Sequence, residues 1–226
     1  IIVFGSADKN IYALDAANGK EKWVVAATEP VLGAAVIEKG IAYIGASDHT
    51  FRAIDIKTGK VIWAYTGVKG YVETRPLVTS DKVVFGAWDN TLYALDKTNG
   101  KNRWKWTGGL TRMHFSPAAV WPVAVGEKVF IVDPQRAMTA INLQTGETIW
   151  RTHEAKVRET IGLSVDKQRV YAKTMNDTIV CFSTQGNQPT LLWASNAGFG
   201  YEFAPSMIEE KGNVVFGSTK NGLIFA

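Results

Sequence analysis

Apolar residues in this chain fall into short runs that are separated by turn residues, a pattern typical of β-strands. Over residues 31–65 the runs predict four strands, at 31–37, 41–45, 51–55 and 61–65. Residues 47–49 and 57–59 supply breaks between them, and Gly59 accepts the positive φ of a tight turn. Most runs are apolar on both faces, which predicts sheets that are covered on both sides.

The runs belong to a sequence repeat. Four segments align without a gap, and each ends in tryptophan: ALDAANGKEKW, AIDIKTGKVIW, ALDKTNGKNRW and AINLQTGETIW. CFSTQGNQPTLLW is a looser fifth copy. The closing tryptophans are 40, 41, 46 and 43 residues apart, at Trp23, Trp63, Trp104, Trp150 and Trp193. Four strands in each such period predict the blades of a β-propeller, and Asp15, Asp55 and Asp96 are expected to accept hydrogen bonds from turn amides.

The repeated motif A-x-D-x-x-T-G-x-x-x-W resembles the tryptophan-docking motif of the PQQ-like (pyrroloquinoline-quinone-type) propeller family. The resemblance implies an all-β propeller in which each closing tryptophan docks between adjacent blades. It also implies that the chain enters at the second strand of one blade and leaves at the third strand of another. The chain is similar in repeat to a non-enzymatic branch of the family, the propeller lipoproteins of the outer-membrane β-barrel assembly machinery.

These patterns predict one partial propeller domain over residues 1–226. The predicted repeats are 1–40, 41–81, 82–127, 128–168, 169–212 and the partial 213–226. About five to six blades are visible, and we expect them to belong to a ring of six to eight. Because the chain opens and closes within apolar runs, we expect it to be a piece of a longer protein.

Composition narrows the function classes. The 25 basic and 21 acidic residues give a net charge of +4, and the basic residues are scattered, which does not favour nucleic-acid binding. The sequence contains no apolar run long enough to predict a transmembrane segment. Cys181 is the single cysteine, so an internal disulfide and a cysteine-based metal cluster are both excluded.

The sequence shows no catalytic, cofactor or metal motif. His49, His114 and His153 lie too far apart in the sequence for local metal-ligand spacing. The quinoprotein dehydrogenases that share this repeat have a Ca²⁺ site and a disulfide between adjacent cysteines, and this chain cannot form that disulfide. We therefore expect no cofactor and no enzyme activity in these residues, with PQQ and calcium as the alternative.

Binding residues are expected in the loops on one face of the propeller, because aromatic and arginine side chains in exposed loops most often anchor interfaces. Trp88 is the first choice, because Ala7 and Ser47 hold the equivalent positions. The candidate face comprises Trp88, Asp89, Glu73, Arg75, Arg112, His114, Arg158, Tyr201 and Glu202. The extra residues 118–126 form a second candidate contact. The alternative is that these loop residues are simply solvated.

Three functional hypotheses follow. The first is a non-catalytic scaffold that binds a protein partner or a small ligand outside the bacterial cytoplasm, in the periplasm or at the outer membrane. The second is an accessory propeller of a larger enzyme, such as a metallophosphoesterase or a kinase-like protein. The third is a fragment of a quinoprotein dehydrogenase.

Overall fold

The repeated aspartates and glycines form tight turns between antiparallel strands. In the turn at residues 55–59, the main-chain N–H groups of Lys57 and Thr58 donate to the Asp55 carboxylate at 3.0 and 2.9 Å. The N–H of Gly59 donates to the carbonyl oxygen of Asp55 at 2.9 Å, and Gly59 has a φ of +72°. The predicted role of the repeated aspartate is thus confirmed at Asp55.

The computed structural model describes residues 1–108, 121–174, 176–201, 208–212, 214–218 and 224–225. The secondary structure assigned to these residues consists of strands, turns and bends, without a helix. They form two compact units, one of residues 1–107 and one that contains the described residues from 121 onward.

The first unit contains three antiparallel sheets. The first sheet, in the order β1-β2-β3, has strands Ile2–Gly5, Asn10–Leu14 and Glu21–Ala26. The second, in the order β4-β5-β6-β7, has strands Val36–Glu38, Ile41–Gly45, Phe51–Asp55 and Val61–Tyr65. The third, in the order β8-β9-β10-β11, has strands Leu77–Val78, Lys82–Ala87, Thr91–Asp96 and Asn102–Trp106.

The described residues of the second unit also form three antiparallel sheets. One contains β12 to β15 in chain order, at Val123–Val125, Lys128–Val132, Met138–Asn142 and Thr148–Thr152. The next contains β16 to β19, at Val157–Leu163, Arg169–Thr174, Asn176–Ser183 and Leu191–Tyr201. The last contains β20 to β22, at Ile208–Lys211, Val214–Ser218 and Ile224–Phe225.

Three of the four strands predicted over residues 31–65 have the predicted bounds, but the strand predicted at 31–37 is wrong. In this run the strand begins only at Val36. The backbone before Val36 is hydrogen-bonded to two turns instead of to a neighbouring strand. The N–H of Val31 donates to the carbonyl of Ser6 at 3.0 Å, and the N–H of Ser47 donates to the carbonyl of Pro30 at 2.9 Å. These bonds tie the segment to turns of the first and second sheets.

Neighbouring sheets of the first unit bury apolar side chains between them. The first and second sheets share a core of Ile11, Ala13, Trp23, Val31, Ala42, Ile44, Ala46 and Ile54. The core between the second and third contains Phe51 and Phe85, whose rings stack with centroids 4.1 Å apart. Packing on both faces of a sheet explains why its strands are apolar throughout.

The predicted fold class, an all-β propeller, is confirmed by the sheets and by the structural comparison below. The sheets do not begin where the predicted sequence repeats begin. Each of the first five predicted repeats ends with the strand that the structure places first in the following sheet, as with β4 at Val36–Glu38 inside the repeat 1–40. Among the described residues, the sheets at the two ends have three strands and the others have four.

Candidate functional site

Glu73 lies on the segment that connects the second sheet to the third. Its carboxylate accepts a hydrogen bond from the indole Nε1 of Trp88 at 2.9 Å and one from the hydroxyl of Ser47 at 3.3 Å. Ser47 follows β5 and Trp88 follows β9, so three separate segments meet at one carboxylate. Glu73 and Trp88 are half-buried, whereas Ser47 is buried. We call Ser47, Glu73 and Trp88 the Glu73 cluster.

The connecting segment is held closely against the turn that carries Trp88. The N–H of Trp88 donates to the carbonyl of Tyr71 at 3.0 Å. A Cβ atom at Gly70 would lie 2.3 Å from the main-chain nitrogen of Asp89, so only glycine permits this approach. The backbone therefore fixes the position of Glu73 beside Trp88.

An exposed aromatic pair lies on the same connecting segment. Tyr71 is 49% exposed, and its ring centroid lies 5.3 Å from that of exposed His49. His49 follows Ser47 by two residues and has a φ of +62°. The aromatic pair and the Glu73 cluster together present an acidic group and aromatic surface on loops of one unit.

Asp89, which the sequence places on the binding face, is used within its own turn. Its carboxylate accepts hydrogen bonds from the N–H of Thr91 at 3.1 Å, from the N–H of Lys69 at 3.0 Å and from the hydroxyl of Tyr93. Burial, and then the hydrogen bond to Asp89, raise the pKa of Tyr93 well above its ordinary value. These contacts give Asp89 a structural role in holding the loop.

The structure describes only some of the remaining face residues. Arg75 is exposed and lies two residues after Glu73. Arg158 lies in β16 of the second unit and is only 6% exposed, which does not fit a loop contact. Tyr201 is the last residue of β19. Arg112, His114 and Glu202 lie outside the described residues, as do residues 118–120 of the second candidate contact.

The sequence analysis did not predict that Ser47 contributes to this cluster. The motif alignment used Ser47 only to show that no rule requires tryptophan at the position of Trp88. Its hydroxyl reaches Glu73 because successive sheets bring the turn after β5 beside the connecting segment. A serine in a Ser-Asp turn carries no signal of that contact.

Trp23 and Trp63 show how a closing tryptophan contacts the next sheet. The Nε1 of Trp23 donates to the carbonyl of Ile56 at 2.9 Å, and the Nε1 of Trp63 donates to the carbonyl of Lys97 at 3.0 Å. Ile56 and Lys97 each follow the repeated aspartate. A Cβ at Gly59 would lie 2.8 Å from Trp23, and one at Gly100 would lie 2.5 Å from Trp63. Each indole therefore rests on the glycine of the next turn.

The other closing tryptophans differ in their surroundings. Trp104 and Trp150 are 7% and 5% exposed, and the ring of Trp150 lies 6.4 Å from that of Phe182 in the next sheet. Trp193 packs on Tyr171 of its own sheet at 5.9 Å but is 37% exposed. The residues between β21 and β22 lie outside the described part of the chain, so docking of Trp193 on the next sheet stays a prediction.

The described residues contain no cluster of three or more histidine, cysteine or acidic side chains that could hold a metal ion. Cys181 is buried, and burial raises the pKa of its thiol to about 12. Within the described part of the chain, no helix is long and apolar enough to span a membrane.

The sequence matches the protein family described as outer membrane protein assembly factor BamB, over residues 1–105 and again over residues 66–226. The chain belongs to the BamB family of PQQ-like repeat propellers. The predicted resemblance is therefore confirmed, and the chain is a propeller scaffold of this type.

Two curated proteins are similar to this chain. BamB of Yersinia pestis is 23% identical over 206 residues, which cover 86% of this chain and 51% of that protein. The chain thus spans about half the length of that curated relative. A lanthanide-dependent methanol dehydrogenase of Methylacidiphilum fumariolicum is 46% identical over 50 residues, which cover 22% of this chain and 8% of the enzyme.

A solved structure shows the same fold. The crystal structure of BamB from Moraxella catarrhalis superposes with a TM-score of 0.56 and 20% sequence identity. The match covers 99% of this chain and 77% of that one.

The residues present do not fit the quinone and metal of the dehydrogenases that share the repeat. A disulfide between adjacent cysteines needs two cysteines, and the sequence has only Cys181. The carboxylate of Asp89 is used by its own turn and by Lys69, and that of Glu73 is held by Ser47 and Trp88. Among the described residues, no group of three or more acidic, histidine or cysteine side chains supplies the carboxylates of a Ca²⁺ site.

Proposed function

We propose that this chain is a non-catalytic scaffold that binds a protein partner through the loops around the Glu73 cluster. The observation that carries the proposal is the carboxylate of Glu73, which Ser47 and Trp88 hold from two neighbouring sheets. Because this group is already ordered before binding, less conformational entropy is lost when a partner arrives. Tyr71 and His49 add exposed aromatic surface beside it.

The family supports a protein partner over a small ligand. The Yersinia pestis relative is an assembly factor for outer membrane proteins. Its name supports placing this chain outside the cytoplasm, in the periplasm or at the outer membrane. Tryptophan is also among the side chains that most often dominate the binding energy of protein interfaces.

Variants of the Glu73 cluster test this proposal. Trp88→Ala removes both the aromatic surface and the indole donor, and Glu73→Gln removes only the charge. We expect Trp88→Ala to lower recovery of outer membrane assembly proteins that co-purify with the protein, by about thirtyfold for a hot-spot side chain. Glu21→Gln, an exposed position on β3, is the matched control for Glu73→Gln. Equal recovery of the partner proteins with all variants would contradict the proposed binding site.

A dehydrogenase is the second candidate, because of the 46% identity over 50 residues to the methanol dehydrogenase. Thermal unfolding with pyrroloquinoline quinone, together with Ca²⁺ or La³⁺, separates the two functions. A bound cofactor would raise Tm as its concentration increases, because it stabilises the folded state by RT ln(1 + [L]/Kd). A scaffold gives an unchanged Tm, and a concentration-dependent rise would favour the enzyme.

A further inference from the structure

The sheets of the first unit place their hairpin turns side by side at one end. The N–H of Ile56 donates to the carbonyl of Gly40 at 3.0 Å, which joins the turn between β6 and β7 to the turn between β4 and β5. The indoles of Trp23 and Trp63 donate to carbonyls in the corresponding turns of the next sheets. We call this end of the first unit the hairpin end. Ser47 lies in the turn at the other end of β5 and β6, so the Glu73 cluster lies opposite to it.

Exposed lysines are concentrated at the hairpin end. On three successive sheets a lysine directly follows the positive-φ glycine of the turn, and two more lysines lie in the joined turns of the second sheet. These residues are Lys20, Lys60 and Lys101, and then Lys39 and Lys57, and we call the five the lysine face. In the fourth copy of the repeat, Glu147 follows the turn glycine. The turn itself therefore does not require lysine.

Most acidic side chains at the hairpin end are paired with other cations. Four carboxylates form ion pairs, namely Asp15 with Lys22, Glu38 with Lys97, Asp81 with Lys82 and Asp96 with Arg103. The two others are Asp55, which accepts hydrogen bonds from its own turn, and exposed Glu21. Within the described part of the chain, no salt bridge involves the lysine face. Its five lysines are thus balanced by only two carboxylates.

The two ends of the first unit differ in the sign of their charge. The hairpin end has nine basic and six acidic side chains, and the lysine face supplies the difference. The end that carries the Glu73 cluster has four basic and five acidic side chains, namely Lys9, Arg52, Lys69 and Arg75 against Asp8, Glu29, Asp48, Glu73 and Asp89. The positive charge of this unit is therefore directed to one side, where it attracts anionic groups.

The lysine face suits a broad anionic surface and not a single small anion. Lysine ammonium groups are point charges on flexible stems, whereas the planar fork of arginine is better suited to holding one anion in a fixed position. Arg103, the arginine at the hairpin end, already pairs with Asp96. The five lysines are also distributed over the turns of three sheets.

Exposed apolar side chains lie beside these lysines. Val61 and Ile62 follow Lys60 and are 36% and 45% exposed, and Ile37, two residues before Lys39, is 42% exposed. Basic and exposed apolar residues on one surface are typical of segments that lie on a membrane, where lysine is attracted to anionic headgroups and apolar side chains enter the headgroup region. An acidic polymer in water would contact the lysines and leave the apolar side chains hydrated.

We propose that the hairpin end of the first unit binds the surface of membranes that contain anionic phospholipid. The lysine face contacts the headgroup phosphates, and Ile37, Val61 and Ile62 enter the region between the headgroups. Because the Glu73 cluster lies at the opposite end of the sheets, it stays accessible to a protein partner while the unit lies on the membrane.

Co-sedimentation with vesicles tests the part of the lysines. The probe is a vesicle of equal parts phosphatidylcholine and phosphatidylglycerol, and vesicles of phosphatidylcholine alone are the lipid control. Wild-type protein is expected to sediment with the mixed vesicles at low salt and to be released as salt is added. Lys57→Gln with Lys60→Gln should lower the partition coefficient about 25-fold, since each lysine at an anionic surface contributes about fivefold.

A second double variant is the matched control. Lys9→Gln with Lys69→Gln removes the same charge from exposed positions at the other end of the unit. It should change the partition coefficient by about twofold or less, because charges beyond a Debye length of the membrane are screened. Circular dichroism shows that each variant is folded. Lys57→Gln with Lys60→Gln should also leave the recovery of co-purifying proteins unchanged, which separates this surface from the Glu73 cluster.

Ile62→Ser tests the apolar contact and distinguishes a membrane from an acidic protein. It should lower partitioning into the mixed vesicles about fivefold, because less apolar surface is removed from water. Retention on immobilised polyglutamate should be the same for Ile62→Ser as for wild type. Leu32→Ser is the control, since Leu32 is 56% exposed and lies on the segment before β4.

Three results would overturn the proposal. The first is wild-type protein that does not sediment with the mixed vesicles at low salt, or that sediments equally with phosphatidylcholine alone. The second is equal partitioning of the two lysine double variants. The third is unchanged partitioning of Ile62→Ser together with strong retention of wild type on polyglutamate, which would identify an acidic protein as the partner of the lysine face.

Discussion

The indole nitrogen of Trp63 donates a hydrogen bond to the main-chain carbonyl of Lys97, 3.0 Å away in the neighbouring sheet. The two residues are 34 positions apart in the sequence. The contact combines burial of a large aromatic ring with a satisfied polar group, which is the arrangement that a buried tryptophan requires. It joins the last strand of one blade to the last turn of the next.

Trp63→Ala should lower the free energy of unfolding by about 3–5 kcal/mol, because it removes a buried aromatic side chain and leaves a cavity between two sheets. Urea unfolding, followed by circular dichroism, measures the change. Trp193→Ala is the control within the same motif. Because Trp193 is 37% exposed, its loss should cost about 1 kcal/mol. Equal losses would contradict the difference in packing.

Gly100→Ala should destabilise the protein more than Gly19→Ala. Both glycines have a φ of +70°, so both substitutions carry the same backbone strain, of about 1 kcal/mol. Only at Gly100 would the new Cβ meet an indole, 2.5 Å from Trp63. The difference in unfolding free energy between the two variants, in dilute solution, therefore measures the crowding of Trp63, and we expect about 1–3 kcal/mol. A zero difference would show that Trp63 moves aside freely.

The fold could be predicted from the sequence because every copy of the repeat contains the residues that form its turns. The aspartate and glycine at 55 and 59 determine a local turn, and the strands on both sides follow from it. The strand bounds failed at residues 31–35, where the backbone hydrogen bonds go to turns of two sheets. A run of apolar residues does not indicate which partners its main-chain N–H and C=O groups will hydrogen-bond.

The candidate site was only partly predictable. Trp88 and Glu73 were singled out, but their hydrogen bond depends on how the connecting segment crosses between two sheets. Asp89 was expected on the binding face, and the structure uses its carboxylate for Thr91, Lys69 and Tyr93. A sequence gives the type of side chain in a loop, whereas its partners depend on tertiary packing.

Asp96→Asn should destabilise the protein at pH 7 and have less effect in acid. The hydrogen bond from the Thr98 hydroxyl and the ion pair with Arg103 hold the pKa of Asp96 well below its ordinary value. A lowered pKa contributes stability above the unfolded pKa of about 4, and that contribution is lost as the pH falls toward the folded pKa. Because Arg103 is 57% exposed, we expect about 1 kcal/mol or less at pH 7.

The chain itself indicates that asparagine is tolerated in this turn. Asn142 holds the equivalent position in the fourth copy, and its side-chain oxygen accepts hydrogen bonds from the N–H groups of Gln144 and Thr145 at 2.8 and 3.0 Å. Asp96→Asn thus keeps the turn and removes the charge. Urea unfolding at pH 7 and at about pH 3 should show a smaller difference from wild type in acid. The same difference at both pH values would mean that the charge of Asp96 contributes nothing.

Cys181 should be unreactive in the folded protein. Its side chain is fully buried in β18, and burial raises the pKa of its thiol from 9.0 to about 12. The thiolate is the reactive form, so at pH 8 its population is about a thousandfold below that of an ordinary cysteine. Reaction with a thiol-specific chromogenic disulfide should therefore follow opening of the sheet β16–β19, and urea should restore a fast reaction. Rapid labelling without denaturant, with the circular dichroism spectrum unchanged, would show that this sheet opens readily in the native protein.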